Sequence, residues 1–186
     1  MYHVHNRSIN RQVLFFSDDD YLDFLSRIRT HISPRCDILA WCLMPNNFHL
    51  LIHSTRASVV SKKIGGNKMP ELSFGIKQLL SSYAKFLNKK IKRTGNLFQQ
   101  KTKAELATDA ISVFHYIHQQ PWRAGLVQRI ENWKFSSFPD YVQLRNGSLV
   151  NKDLAAKLLD LKSVNLLDES YRTIPTSVLK LLDKPR

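Results

Sequence analysis

Cysteine is scarce in this sequence. Cys36 and Cys42 are the only two in 186 residues, and their spacing is not that of a CxxC pair. Both read as free thiols in a reducing cytoplasm, and a structural zinc site would need more ligands of that kind. Long apolar runs are missing too. The longest, Ile38 to Met44, is far too short to span a bilayer and reads as a buried strand. The opening from Met1 to Gln12 is polar and carries His3, His5, Arg7 and Arg11, so no signal peptide is expected. Repeats and low-complexity segments are lacking. Acidic residues are also few, 15 against 28 Lys and Arg, for a formal net charge of +13. Self-repulsion on that scale points to a polyanionic partner, nucleic acid first and an anionic membrane surface second. The bland alternative is a merely basic soluble domain.

What is present suits one domain with a modest extension, and 43% hydrophobic residues suffice for a real core. Tyr2 to Asn6 is short and β-prone. Ser17-Asp18-Asp19-Asp20 reads as a helix start, with acids where the helix dipole favours them. Leu22, Leu25, Ile28 and Ile32 then fall at helical spacing, predicting a helix from about Asp19 to His31 that Ser33-Pro34 ends. Cys36 to Leu43 is mostly apolar, as a central strand would be. Pro45-Asn46-Asn47 is a turn, and Phe48 to His53 completes a hairpin. Ser61 to Pro70 reads as a flexible loop. Leu72 to Ile91 reads as a long basic helix with Gly95 as its stop, and Leu97 to Ala107 as another strand. Thr108 or Asp109 caps a helix that Pro121 terminates. Two more helices are expected at Asp153 to Leu161 and Thr176 to Leu182. The order of elements predicts an α+β fold: a ferredoxin-like antiparallel sheet with helices packed on one side, plus a short C-terminal helical extension. The boundary is placed between residues 1–143 and 144–186.

Three segments carry chemistry. On the strand from Asn47 to His53, alternate residues share a face, so Asn47, His49, Leu51 and His53 point one way and Phe48, Leu50 and Ile52 the other. A polar pair at i and i+2 beside a hairpin turn suits two metal ligands; a hydrogen-bonded bystander histidine is the alternative. In Asp109 to Pro121, Ala110, Val113, Phe114 and Ile117 form an apolar stripe, while Ser112, Tyr116 and Gln120 share a neighbouring face. Tyr116 and Gln120 could present a nucleophile and a ligand together, or Tyr116 could simply cover the core. Gln120 precedes Pro121, which is expected to push it off helical geometry. Third, Lys85, Lys89, Lys90, Lys92, Arg93, Lys101 and Lys103 interleave with Tyr83, Phe86 and Phe98, a pattern suited to phosphate contacts and base stacking.

Taken in order, these blocks resemble the REP-associated branch of the HUH single-tyrosine transposases. Tyr2-His3-Val4-His5-Asn6-Arg7 is similar to the family's opening strand. Trp41 to Leu51 (WCLMPNNFHLL) matches the segment with the His-hydrophobe-His pair, and Arg93 to Gln99 (RTGNLFQ) the turn after the long helix. Tyr116 to Val127 (YIHQQPWRAGLV) resembles the nucleophile helix and its following loop, and Trp133 to Ser137 closes the match. The likeness spans roughly Tyr2 to Tyr141. It implies a DNA-binding, DNA-transposing enzyme whose tyrosine attacks a phosphodiester of single-stranded DNA beside a hairpin. A 5′-phosphotyrosine forms, a 3′-hydroxyl is freed, and the reverse step joins another strand.

By that resemblance Tyr116 is the nucleophile, and His49, Gln120 and Asn47 are the metal ligands, for Mg²⁺ or Mn²⁺. The basic residues from Lys85 to Lys103 named above, with Arg123, would contact DNA. A phenol has a pKa near 10 and needs such help. The sequence departs from the family at Asn47, which stands where the pair's first histidine should be. Either a weaker site works, or cleavage is lost and a domesticated, sequence-specific DNA-binding protein remains. His53 could replace the lost ligand; His118 reads as structural or DNA-contacting. An RNA-binding module would need exposed strand aromatics, for which Phe48 and Phe98 are the candidates. The resemblance implies a cytoplasmic, DNA-associated protein and leaves monomer and homodimer, and the role of the tail, open.

Overall fold

The computed structural model describes residues 1–64, 67–161 and 165–182. Strand β1 (Tyr2–Arg7) leads through a single helical turn to helix α1 (Asp18–His31). Asp20 sits at the third position of α1, and its carboxylate accepts hydrogen bonds from the Phe16 and Ser17 amides, which starts the helix. The face α1 buries is Tyr21, Phe24, Ile28 and the following Ile32, one step round from the expected stripe, and Leu22 is exposed. Strands β2 (Cys36–Met44) and β3 (Asn47–Ser54) form the expected hairpin. A short helix α2 (Arg56–Val59) follows.

The segment expected as a flexible loop is instead a small hairpin of β4 (Ser61–Ile64) and β5 (Asn67–Pro70). Helix α3 (Glu71–Lys90) is the long basic helix. It stops before Gly95, and Lys92 takes the left-handed backbone just past its end. Strand β6 is only Lys103–Leu106, shorter than the expected strand, with one isolated bridge from Phe98 to Ser8. Helix α4 (Ala110–Arg123) is capped by the Asp109 carboxylate, which accepts from the Ser112 amide. Pro121 does not end α4: it lies inside the helix, near its C-terminus, where few backbone bonds remain to be lost. Beyond it come α5 (Phe138–Tyr141), α6 (Lys152–Leu159), α7 (Leu166–Glu169) and α8 (Thr176–Leu182).

The sheet order is β2-β3-β1-β6 and every pairing is antiparallel, which is the ferredoxin-like arrangement. Helices α1 and α3 take one face, as expected. There Phe15, Phe24, Phe48, Tyr83 and Phe98 pack ring on ring with Val4, Leu50 and Ile52. The Tyr83 hydroxyl donates to the Leu14 carbonyl at 2.6 Å. The opposite face is covered as well. Helix α4 lays Ala110, Val113, Phe114 and Ile117 over Leu39, Ala40, Cys42 and Leu51, and Ala155, Leu159, Leu166, Ile174, Val178 and Leu182 of the tail complete that layer. A register shift between Ile38 and Ala40 puts both Leu39 and Ala40 in this second layer, which explains why β2 alternates poorly in sequence. Tail and sheet therefore share one core. Segment 135–137 hydrogen-bonds along the outer edge of β2, Leu43 donating to the Phe135 carbonyl and Ser137 to the Trp41 carbonyl, both at 2.9 Å.

Candidate active site

The site grows from the pairing of β1 with β3, which sets His5 opposite His49 and His3 opposite Leu51. Odd positions of both strands face α4. Three imidazoles therefore meet: ring centres are 4.6 Å apart for His3 and His5, 5.1 Å for His3 and His49, and 5.4 Å for His5 and His49, with planes within 13° of parallel. His3 Nε2 and His49 Nδ1 share a hydrogen bond of 2.9 Å. Burial pushes His49 down to about 3, with the neighbouring His5 adding to the effect. Burial also lowers His3 well below the usual range, helped by His49, His5 and Lys103. The pair is held neutral, the form in which imidazole accepts protons and binds metals.

Helix α4 brings Tyr116 edge-on to this cluster, its ring centre 6.1 Å from His3 and 5.9 Å from His49. The Arg123 guanidinium lies 5.8 Å from the Tyr116 ring centre, so a cation flanks the phenol. Tyr116 is only 3% exposed.

The three ligand positions expected from sequence are placed differently from one another. His49 is in the cluster. Asn47 lies two residues nearer the turn, opposite Arg7; its Nδ2 donates to Asn46 Oδ1 at 2.9 Å and its buried Oδ1 has no partner among the described residues. Gln120 is not displaced from the helix by Pro121; it stays within α4, and its amide turns back to the Tyr116 carbonyl at 3.4 Å. His53 sits at the far end of β3, 3.6 Å from Asp37 and away from the cluster. His118 is fully buried and bonded to Ser137 Oγ at 2.7 Å, a structural role that excludes DNA contact.

Sequence reasoning missed His3, His5 and Glu105. The β1–β6 pairing sets Glu105 opposite His3 and Lys103 opposite His5. His3, His5 and Glu105 each offer a ligand atom within 4.8 Å of the others, a group able to hold a metal ion. Lys103 Nζ lies 4.0 Å from Glu105. Two of the group's buried atoms, His3 Nδ1 and Glu105 Oε2, have no hydrogen-bond partner among the described residues. A cavity of about 330 Å³ opens beside them, lined by His3 and Glu105, Thr108 and Asp109 before α4, and Val178 and Leu182 of α8. The signal was available: His-x-His on a β-prone segment puts both rings on one face.

The basic residues divide. Lys85, Lys89 and Lys92 stand exposed on α3 and just past it, and Lys101 is exposed before β6. Lys90 is engaged by buried Asp20 at 2.5 Å. Arg93 donates to Asn88 and to the Gly95 and Asn96 carbonyls, holding the turn after α3. Lys77, Lys85, Asn88 and Asn96 line an open groove between α3 and that turn. Phe48 and Phe98 are both buried, so neither offers the stacking platform an RNA-binding sheet would need.

No family model matches the sequence, and no curated protein matches it. Architecture defines the class: an α+β fold on a four-stranded antiparallel sheet, with a tyrosine-bearing helix laid across the face that carries the imidazoles. Among solved structures the chain is similar to one described as a REP-associated tyrosine transposase bound to a REP hairpin. The TM-score is 0.53 over 76% of this chain and 78% of that one, at 16% identity. The resemblance carried by the sequence blocks extends to the fold. No helix among the described residues is long and apolar enough to cross a membrane.

Proposed function

We propose that this chain binds single-stranded DNA bearing a hairpin and cleaves and rejoins it through a phosphotyrosine at Tyr116. The observation that carries this reading is the packing of the Tyr116 ring against the neutral pair His3–His49, on a fold shared with a hairpin-bound transposase. The phenol oxygen attacks phosphorus, the bond to the 3′ oxygen breaks, and the 3′-hydroxyl leaves while the 5′ phosphate stays on Tyr116. The phenol proton passes, directly or through water, to the departing 3′ oxygen, since burial leaves the adjacent imidazoles weak bases. Arg123, beside the same ring, supplies positive charge where the phosphate must lie. Exposed Lys85, Lys89, Lys92 and Lys101 hold the rest of the strand by phosphate contacts.

A divalent ion, when bound, would draw charge from the scissile phosphate and orient it. Buried acceptors without partners, at His3, Glu105 and Asn47, are what such an ion would satisfy. Nitrogen donors favour Mn²⁺ over Mg²⁺ at this site. The ligand set expected from sequence, His49 with Asn47 and Gln120, is one of two arrangements available.

A second reading, a DNA-binding protein that no longer cleaves, is favoured by Asn47 in place of a histidine and by the burial of Tyr116. The test is a covalent-adduct assay. The protein is incubated with single-stranded hairpin DNA and Mn²⁺ or Mg²⁺, and a species resisting denaturation is sought. An adduct that disappears in Tyr116→Phe and in EDTA is the expected result; hairpin binding without any adduct would establish the second reading.

A further inference from the structure

We infer that the metal ion of this site is held by His3 and His5 of β1 and Glu105 of β6, and that His49 serves to orient His3 rather than to bind the ion. The inference rests on the proposed function only in giving the ion a task; the binding itself stands on geometry.

The register makes the arrangement. Position 49 lies opposite position 5, and position 105 opposite position 3, so four side chains from three adjacent strands converge on one face. Where β3 presents an asparagine, the neighbouring strand supplies an imidazole across from His49. The hydrogen bond between His3 and His49 then decides which atom is free. His3 Nε2 is occupied by His49 Nδ1 at 2.9 Å, while His3 Nδ1 is buried without a partner and His3 borders the cavity. With the proton on Nε2, His3 donates to His49 and leaves the lone pair of Nδ1 bare as a ligand. A ligating histidine held through its other ring nitrogen is the usual way such rings are aimed.

The ligand chemistry is specific. Two imidazoles and one carboxylate, with a cavity alongside, suit a borderline divalent ion from Mn²⁺ to Zn²⁺ and not Mg²⁺, which demands oxygen donors and keeps its waters. Lys103 is the built-in competitor. Its ammonium lies 4.0 Å from Glu105 and neutralises the carboxylate in the metal-free protein. Asn47 and Gln120 take no part, since Asn47 lies two residues nearer the turn, opposite Arg7, and Gln120 turns its amide back to its own helix.

The test is a titration of the 186-residue chain with Co²⁺, read by visible d–d absorption, with Zn²⁺, Mn²⁺ and Mg²⁺ as competitors. Zn²⁺ should displace Co²⁺ readily, Mn²⁺ only in large excess, and Mg²⁺ not at all. His5→Ala and the near-isosteric Glu105→Gln should abolish the spectrum, and His49→Ala should weaken binding by roughly 10- to 100-fold. Lys103→Met should tighten it, which a variant that merely unfolds the site cannot do. Asn47→Ala and Gln120→Ala should leave ion affinity unchanged. The inference is overturned if no ion binds, or if Asn47→Ala or Gln120→Ala loses the ion while folded Glu105→Gln keeps it. Adducts are scored separately, so Co²⁺ bound by the three residues without any adduct supports this site while removing the proposed chemistry.

Discussion

The two faces of the central sheet are both buried, yet they are built from different materials. Under α1 and α3 the layer is aromatic and aliphatic; its Tyr83 hydroxyl has a partner, and the Trp41 indole N–H has none among the described residues. Under α4 and the tail, apolar packing surrounds imidazoles and amides, several with no partner among the described residues. An unpaired buried polar group costs on the order of 1–3 kcal/mol. A layer built only for stability would not carry several of them. The first face is where the fold gains stability, and the second gives some up to hold reactive groups dry and neutral.

The largest effect should come from the first face. Phe24→Ala removes a fully buried ring that packs against Phe15, Phe48 and Tyr83, and should cost about 3–5 kcal/mol in chemical denaturation. A loss under about 1 kcal/mol would mean the two faces do not differ as described.

The second face should control the response to acid. His49 is held at about 3 and His115 at about 4, against an ordinary 6.5. Below pH 6.5 the unfolded chain takes up protons that the folded chain refuses, so stability present at neutral pH is lost as pH falls toward those values. Each histidine contributes a slope of up to about 1.4 kcal/mol per pH unit. Thermal unfolding between pH 7 and 4.5 measures it, and a flat profile would contradict the burial of neutral rings.

A smaller, opposite effect is expected from His115→Met. Both nitrogens of this fully buried ring are without hydrogen-bond partners among the described residues. An apolar side chain of similar size should raise stability by about 1 kcal/mol and flatten the acid response. Unchanged stability and an unchanged slope would show that the ring is already satisfied. The smallest effect belongs to the surface. Lys85→Gln should lower the salt dependence of single-stranded DNA binding by about 0.7 in log–log slope while leaving stability alone. An unaltered slope would take Lys85 out of the contact.

The contrast between the faces also explains what could be read from the sequence. The order of elements, the Asn47–His53 alternation and the apolar stripe of α4 were legible because period-2 and period-3.6 patterns survive without tertiary information. The α1 stripe was set one step off because Leu22 is apolar but exposed, and exposed leucines are common. The hairpin of β4 and β5 was hidden by polar, basic composition. The site was half legible. Tyr116 and His49 stood in recognisable blocks, but the convergence of His3, His5 and Glu105 depends on register between strands some 100 residues apart, β1 and β6, which no local pattern encodes.

The shared core has one more consequence, in the order of synthesis. Residues that close the aromatic layer come mostly from the first hundred positions, while Leu159, Leu166, Ile174, Val178 and Leu182 close the imidazole layer. A nascent chain can therefore bury the first face early. The second face stays open to water until α8 has been made and packed, so the histidines acquire their neutral, desolvated state after the aromatic layer has closed.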